Sequence, residues 1–366
     1  MNVSPPESSM RPRSWRQIAG RVPAIDRALR GLRRTDEIID LQHQVEILQR
    51  QFQDAAEGRS AAERQLDAER QVAAEKQLAA EQRLLVPDSV KPFLEWAPPG
   101  HFYSALPDLN QVERDAKRIF ALPDQLPGIE VHEQEQLALF DELAQLARDA
   151  PLPAAAGGFF AENGSYGVGD AMILQSMLRK IRPTRYIEVG SGWTTALAVD
   201  TNQAWLDGSM RITAIEPYAE LVRSILPENS IEVLAQPVQD VSLDLFSELE
   251  RGDVLFIDCS HVIKAGSDAH HLVTRVLPLL ASGVHVHLHD MFWPFEYPRP
   301  WIEEGRAWSE LYLLHAFLLF NPAFSIEMFN DWLARFHHDE IGRKLPAMLE
   351  NTGGALWLRV EDRTGG

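Results

Sequence analysis

The chain has 366 residues, 45% of them hydrophobic, which is enough for a substantial core and too long for one small domain. Its formal net charge of −18 argues against a nucleic-acid partner held through phosphate contacts. The single cysteine, Cys259, excludes an intramolecular disulfide and cysteine-based zinc sites, and no apolar run reaches the ~18 residues of a membrane span.

The charge is unevenly placed. Residues 1–34 hold eight Arg against Glu7 and Asp26, a net +6, so the rest of the chain sums to −24. This stretch reads as a basic flexible arm, with contact to an anionic membrane or nucleic acid as the other reading. Arg13, Trp15 and Arg16 are followed by no apolar h-region, so the segment is no secretory signal and a cytoplasmic protein is expected. In residues 35–86, Ile38, Leu41, Val45, Leu48, Phe52 and Ala55 recur at steps of three and four, a heptad seam. The seam then fades, since Arg59, Ala62, Leu66, Glu69 and Ala73 occupy the same frame. The pattern predicts a long coiled-coil helix that forms a homo-oligomer through residues 35–85, a solvated and partly helical linker being the alternative.

Residues 87–152 read as a helical connector. Its turn-rich stretch from Trp96 to Ser104 precedes an amphipathic helix predicted over 137–150, with Leu137, Leu139, Phe140, Leu143 and Leu146 on the apolar side. Pro151 and Pro153 end it. The remaining domain is placed at 153–362. Its entry carries Tyr166, Gly164, Gly167 and Gly169 before a helix predicted over 171–181. That loop either lies over a ligand or is a plain helix entry capped by Asp170.

The run Arg185-Tyr-Ile-Glu188-Val-Gly190-Ser191-Gly192-Trp-Thr194-Thr195 follows. It is a short apolar strand ending in an acid, a Gly-x-Gly turn and two residues able to cap a helix. Glycines at such a turn let the backbone approach a ligand that a Cβ would exclude. A dinucleotide fingerprint needs a third glycine where Thr195 stands. An acid just ahead of the turn instead suits S-adenosylmethionine (SAM), whose amino-acid end is cationic and which carries no pyrophosphate. An ordinary glycine-rich turn is the alternative.

A second apolar strand, 211–215, ends at Glu216, where a carboxylate can take both ribose hydroxyls. Residues 230–235, 253–258 and 283–289 read as further strands, with helices predicted over 194–203, 219–226, 241–250 and 268–280. Strand and helix alternate at βαβ spacing. The expected fold is therefore α/β, a Rossmann-like, mostly parallel sheet with helices on both faces. Ligands of such sheets bind outside the strand carboxyl ends, where Glu188, Glu216, Asp258, His289 and Asp290 all fall.

Methyl transfer from a sulfonium is an in-line displacement in which positioning dominates. A hydroxyl acceptor must also lose its proton, so a base or a metal helps. Asp258 and His261 follow the fourth strand and His289 and Asp290 the fifth, so adjacent strand ends bring the four together. His261 is the first candidate for base and His289 the second; Asp258 and Asp290 suit a hard cation such as Mg²⁺. His285 is read as packed within its strand, and His270 and His271 as structural or exposed helix residues. The loop 291–301, with Phe292, Trp293, Phe295, Tyr297 and three prolines, suits a sugar face or serves as a lid or core edge. Trp193 packs on the methionine end of the ligand or seals a helix against the sheet.

Several blocks occur together and in order: Pro-Pro-Gly-His-Phe-Tyr-Ser (98–104), Tyr-Gly-x-Gly-Asp (166–170), Glu-Val-Gly-Ser-Gly (188–192), Ile-Glu-Pro-Tyr (215–218), Pro-Val-Gln-Asp-Val (237–241), Phe-Ile-Asp-x-Ser-His-Val (256–262), His-x-His-Asp (287–290) and Pro-Phe-Glu-Tyr-Pro (294–298). Over roughly residues 90–335 the chain resembles the methyltransferase family 24 group. These are bacterial class I SAM-dependent methyltransferases found in polysaccharide and glycan biosynthesis. More distantly it resembles sugar O-methyltransferases. The resemblance implies a sheet with an extra antiparallel strand at its edge, and residues 354–360 are a candidate for one of the last strands. It implies Tyr166, Glu188, Gly190, Ser191, Gly192, Thr194, Glu216, Gln239, Asp240 and Asp258 as cofactor-binding residues, Gln239 or Asp240 accepting from the adenine amino group. Asp240 capping the next helix is the other reading. The related sugar enzymes carry an acidic pair after the fifth strand; here His289 stands in the first acid's place, which keeps metal-free base catalysis open.

The expected activity is O-methylation of a sugar- or glycan-type acceptor. The alternatives are a coiled-coil adaptor bearing an inactive methyltransferase-fold domain, and a nicotinamide-dependent oxidoreductase. Thr195 and the lack of a Tyr-x-x-x-Lys pair count against the last.

Overall fold

The computed structural model describes residues 88–149, 152, 158–161 and 163–362. The arm expected at 1–34 and the coiled-coil helix expected at 35–86 lie outside the described residues. The described residues belong to one of the two compact units into which the chain divides, residues 88–366.

The core is a seven-stranded sheet in the order β3-β2-β1-β4-β5-β7-β6. Its strands are β1 (Arg185–Val189), β2 (Arg211–Ile215), β3 (Glu232–Leu234), β4 (Val254–Ile257), β5 (His285–Leu288), β6 (Phe324–Phe329) and β7 (Leu356–Val360). β1 to β5 run parallel, with Tyr186 opposite both Ile212 and Val254, and Leu255 opposite Val286. β4 is buried along its whole length, as a central parallel strand covered on both faces must be. Its four apolar side chains contribute roughly 6–12 kcal/mol of gross burial, which fixes the position of everything that follows Ile257.

The principal helices are α1 (Lys91–Trp96), α2 (Glu133–Asp149), α3 (Val168–Ile181), α4 (Trp193–Trp205), α5 (Glu220–Ile225), α6 (Asp268–His271) and α7 (Glu310–Leu318). α2 begins four residues before the predicted 137, and its Phe140, Leu143, Ala144 and Ala147 join the same core as the sheet.

Two expectations are corrected and two are refined. Residues 241–250 hold only one helical turn, Asp244–Ser247, after a 3-10 turn at Val238–Asp240. Val241 is extended, and Val241, Phe246 and Leu249 are all buried in the core, so the stretch is anchored without continuous helix. Residues 268–280 are helical but change form, from α6 to a π turn at Leu272–Val276 and a 3-10 turn containing Pro278. Proline cannot continue the amide ladder. α3 starts at Val168, so Asp170 lies inside its first turn and is no cap. Its carboxylate instead accepts from the amides of Gly354 and Ala355 and from Asn330 Nδ2, pinning α3 to the start of β7. Finally, residues 354–360 do supply one of the last strands: β7 is antiparallel to β5 and β6 and lies one strand inside the edge. The edge is β6, which the sequence pattern did not reveal.

Candidate active site

The turn between β1 and α4 is built around Gly190. Its φ is +83°, and a Cβ there would lie 1.8 Å from the Asp258 carbonyl oxygen. Only glycine lets β1 and β4 run side by side to their carboxyl ends. Gly192 is different: a Cβ would meet only Leu221, at an ordinary 3.5 Å. The fold itself leaves room for a side chain there.

Around this turn the carboxylates are arranged with part of their capacity unused. Glu188 is fully buried; Thr194 Oγ1 donates to its Oε1, while its Oε2 has no partner. Burial raises its pKa to about 8, against the lowering effect of the nearby Thr194, Thr195 and Tyr186 hydroxyls. Ser191 Oγ is likewise buried and unpartnered. Glu216, at the end of β2, accepts from the Ser191 amide at 3.2 Å and the Tyr218 amide at 2.8 Å, which aims its carboxylate along the rim of the turn. These groups fit SAM: an orphaned buried carboxylate oxygen for its ammonium, and an anchored carboxylate for its ribose.

Asp258, His261, His289 and Asp290 converge as expected. His261 Nε2 lies 3.2 Å from Asp258 Oδ1 and 3.6 Å from Asp290 Oδ2, and Nδ1 donates to Glu310 Oε2 at 2.9 Å. Burial opposes a charged ring, but the hydrogen bonds to Asp258 and Glu310 prevail and raise its pKa to about 10. His289 Nε2 is 3.5 Å from Asp290 Oδ1, and its Nδ1 is 3.8 Å from Asp170 Oδ2 with no hydrogen bond. Burial also opposes charge on His289, and Asp258, Asp290 and Asp170 together raise its pKa. Asp290 thus bridges the two imidazoles. Burial raises the Asp258 carboxyl, yet His289 and His261 bring it below its usual range. His261 and Asp290 both have φ of 59°. Non-glycine residues held in that region concentrate at functional sites.

Beside this cluster opens a cavity of about 650 Å³, whose wall includes His289, Asp290, Phe292, Trp301, Arg306 and Asn351. The Arg306 guanidinium stacks 4.2 Å from the Trp301 ring centre and 5.2 Å from that of Trp308. Of the aromatic loop, only Phe292 and Trp301 face this cavity. Trp293, Phe295 and Tyr297 are core: Trp293 Nε1 donates to the Pro123 carbonyl, and Phe295 stacks on His315.

The remaining expected residues are placed as follows. Tyr166 lines the cavity but is buried, its hydroxyl 3.3 Å from the Asp170 carbonyl and its ring 5.0 Å from His289. Gln239 Nε2 donates to the Gly266 carbonyl at 2.7 Å, and Asp240 is exposed and caps nothing. Trp193 packs edge-on to Phe160 at 4.5 Å. His285 pairs with Glu327 at 2.6 Å, and His287 is fully buried between Phe256 and Trp357. Sequence reasoning missed Glu310, Asp170 as a buried carboxylate, and Arg306. Glu310 stands 49 residues beyond His261, in no motif; the Trp301–Arg306–Trp308 spacing was the one legible signal.

As donors for Mg²⁺, Asp258, His261 and Asp290 offer one atom each, all within 4.8 Å of one another. The two carboxylates fit a hard cation. A charged His261 between them already supplies the countercharge.

Residues 187–291 match the model of a family described as a methyltransferase domain. An uncharacterized protein of Archaeoglobus fulgidus is 32% identical over 162 residues, which span 42% of this chain and 73% of that protein. Among solved structures, the methyltransferase PaMTH1 of Podospora anserina bound to S-adenosylhomocysteine (SAH) is 15% identical. It covers 69% of this chain and 95% of its own, with a TM-score of 0.36. An O-methyltransferase of Bacillus cereus in complex with SAH is 15% identical over 69% and 97%, with a TM-score of 0.32. Among the described residues no helix is long and apolar enough to cross a membrane.

Proposed function

We propose that this chain, a class I SAM-dependent methyltransferase belonging to one family with the Archaeoglobus fulgidus protein, methylates a hydroxyl oxygen of a sugar- or glycan-type acceptor. The observation that carries the reading is the set of carboxyl acceptors in the crevice. Glu188, Glu216, Asp258 and Asp290 ring the strand ends, and Glu188 Oε2 is buried with no partner. An ammonium can take the proton's place on Glu188 and ribose hydroxyls can donate to Glu216, whereas neither carboxyl offers a donor to the two phosphates of a dinucleotide.

In this reading Glu188 takes the SAM ammonium, and Glu216 takes the ribose hydroxyls. Gly192 and the unpartnered Ser191 hydroxyl face the methionine end. Gln239 stays a candidate for the adenine amino group; Asp240 is the weaker one, being exposed. The sulfonium comes to lie beside Asp258 and His261. A cation arriving there disfavours a second positive charge and drives the His261 pKa back down. The neutral Nε2 is then the base. It takes the acceptor's proton as the oxygen attacks the methyl carbon, the carbon–sulfur bond breaks, and neutral SAH leaves. Asp258 stabilises the imidazolium that forms. His289 and Asp290, on the cavity wall, orient the acceptor, with His289 the second candidate for base. Phe292 and Trp301 line the cavity with aromatic surface, and Asn351 and Arg306 bring hydrogen-bonding groups, a combination that suits a polyhydroxylated ring. If Mg²⁺ takes part, Asp258 and Asp290 hold it, and it would polarise the acceptor oxygen. Self-association through residues 35–85 and a cytoplasmic setting complete the proposal.

The test is to incubate the full chain with methyl-tritiated SAM and a panel of mono- and disaccharides. Alkali-stable label in the sugar fraction is the expected result, since a methyl ether survives base. Calorimetry that finds NAD binding and no SAM binding would overturn it.

A further inference from the structure

We propose that Glu310 is a positioning residue that holds the His261 ring for catalysis; this rests on the reading of His261 as base. Two amides at the start of α7, those of Ser309 and Glu310, donate to the His261 carbonyl at 2.8 and 3.0 Å. The Glu310 carboxylate then accepts from Nδ1 of the same residue at 2.9 Å, and its other oxygen accepts from the Cys259 thiol at 3.4 Å. Main chain and side chain of one residue therefore grip His261 from behind, where it sits with a φ of 59°. Trp308 closes the arrangement, its ring centre 4.4 Å from that of His261.

Glu310 is 1% exposed. A carboxylate is costly to desolvate, and a fold that needed only its volume would hold an apolar side chain there. What the carboxylate adds is an acceptor that never donates. It commits the Nδ1 proton and leaves Nε2, the nitrogen facing Asp258 and Asp290, to take up and release a proton on the crevice side. Without it nothing holds the proton on Nδ1, and Asp258, 3.2 Å from Nε2, would draw it to the crevice side.

Glu310→Gln keeps the volume but places an amide that can donate toward Nδ1 and so favour the wrong tautomer. Two readouts test the role in the full-length protein. The first needs no acceptor. In ¹⁵N-histidine-labelled protein the Nδ1 proton of His261 gives a far-downfield, slowly exchanging resonance, absent from both His261→Ala and Glu310→Gln. The second uses the sugar that takes label from methyl-tritiated SAM. Glu310→Gln lowers kcat by ~10²–10⁴, the range of a disabled general base, with SAM affinity and acceptor KM within about threefold of the parent. In a His261→Ala background the same change costs nothing further, because Glu310 acts only through His261. Persistence of the downfield resonance in Glu310→Gln would overturn the proposal, as would parental kcat in that variant or an undiminished additional loss in the His261→Ala background. Parental activity in His261→Ala alone would instead sink the base reading, and with it the role that depends on it.

Discussion

Binding of SAM to this site should release protons, and Glu188→Gln should remove nearly one of them. In the cofactor-free protein burial holds the Glu188 carboxyl at a pKa of about 8. At pH 7 such a group is about nine-tenths protonated. An ammonium placed against its unpartnered Oε2 favours the ionised form strongly, so the proton leaves when SAM arrives. The measurement is calorimetric titration with SAM at pH 7 in two buffers of different ionisation enthalpy, which yields the proton count. In the proposed mechanism the sulfonium also displaces a proton from His261, so the comparison that matters is parent against variant. Glu188→Gln should release about 0.9 fewer protons at pH 7 and only about 0.1 fewer at pH 9, where Glu188 is already ionised. The same shift has a stability consequence of definite sign. A carboxyl whose folded pKa is raised costs stability as pH climbs from its unfolded value near 4.5 to about 8. Glu188→Gln should therefore stabilise the ligand-free fold above pH 8, by up to roughly 5 kcal/mol. Equal proton release by parent and variant at pH 7 would refute the placement of the SAM ammonium at Glu188.

Other outcomes follow from the same geometry. Glu216→Ala leaves two ribose hydroxyls without their charged acceptor and should weaken SAM binding by roughly 1.5–3 kcal/mol in a folded protein, measured by calorimetry. Gly192→Val should abolish SAM binding while leaving the melting temperature close to that of the parent, whereas Gly190→Ala should fail to fold, since its Cβ meets the Asp258 carbonyl. His261→Ala should lower the methyl-transfer rate by ~10²–10⁴ and spare SAM affinity. If Asp258 and Asp290 hold a working Mg²⁺, chelator removes activity and added Mg²⁺ restores it; full activity in chelator rejects the metal and leaves the base. Deleting residues 1–86 should convert an oligomer into a monomer that still binds SAM, read by light scattering, and a monomeric full-length chain at micromolar concentration would rule out the heptad seam.

The parallel half of the sheet was legible because each strand there is a short apolar run closed by an acid or a glycine turn. β1, β2, β4 and β5 lie where the pattern put them, and the residues just past their ends form the site. β6 was not legible. Its burial alternates only in part and is broken by a bulge between Ile326 and Met328, so neither period stands out. The helix expected over 241–250 shrank to one turn although Val241, Phe246 and Leu249 are all buried, because Val241 leaves the preceding 3-10 turn in an extended conformation. Asp170 looked like a cap because it precedes a helical pattern, yet its partners, Gly354 and Ala355, come from the far end of the chain. Glu310 was invisible for the same reason: its role is set by where α7 docks. Local chemistry marked Glu188, Asp258, His261 and His289, and tertiary packing alone chose the groups that orient them.

The most direct test of the account is a crystal structure of the full chain with SAH. The ribose hydroxyls should lie on Glu216 and the ammonium on Glu188. The sulfur should face His261 Nε2 across a gap that an acceptor hydroxyl can fill. A bound SAH whose sulfur lies more than ~10 Å from both His261 and His289, beyond even a one-water relay, would contradict the catalytic site.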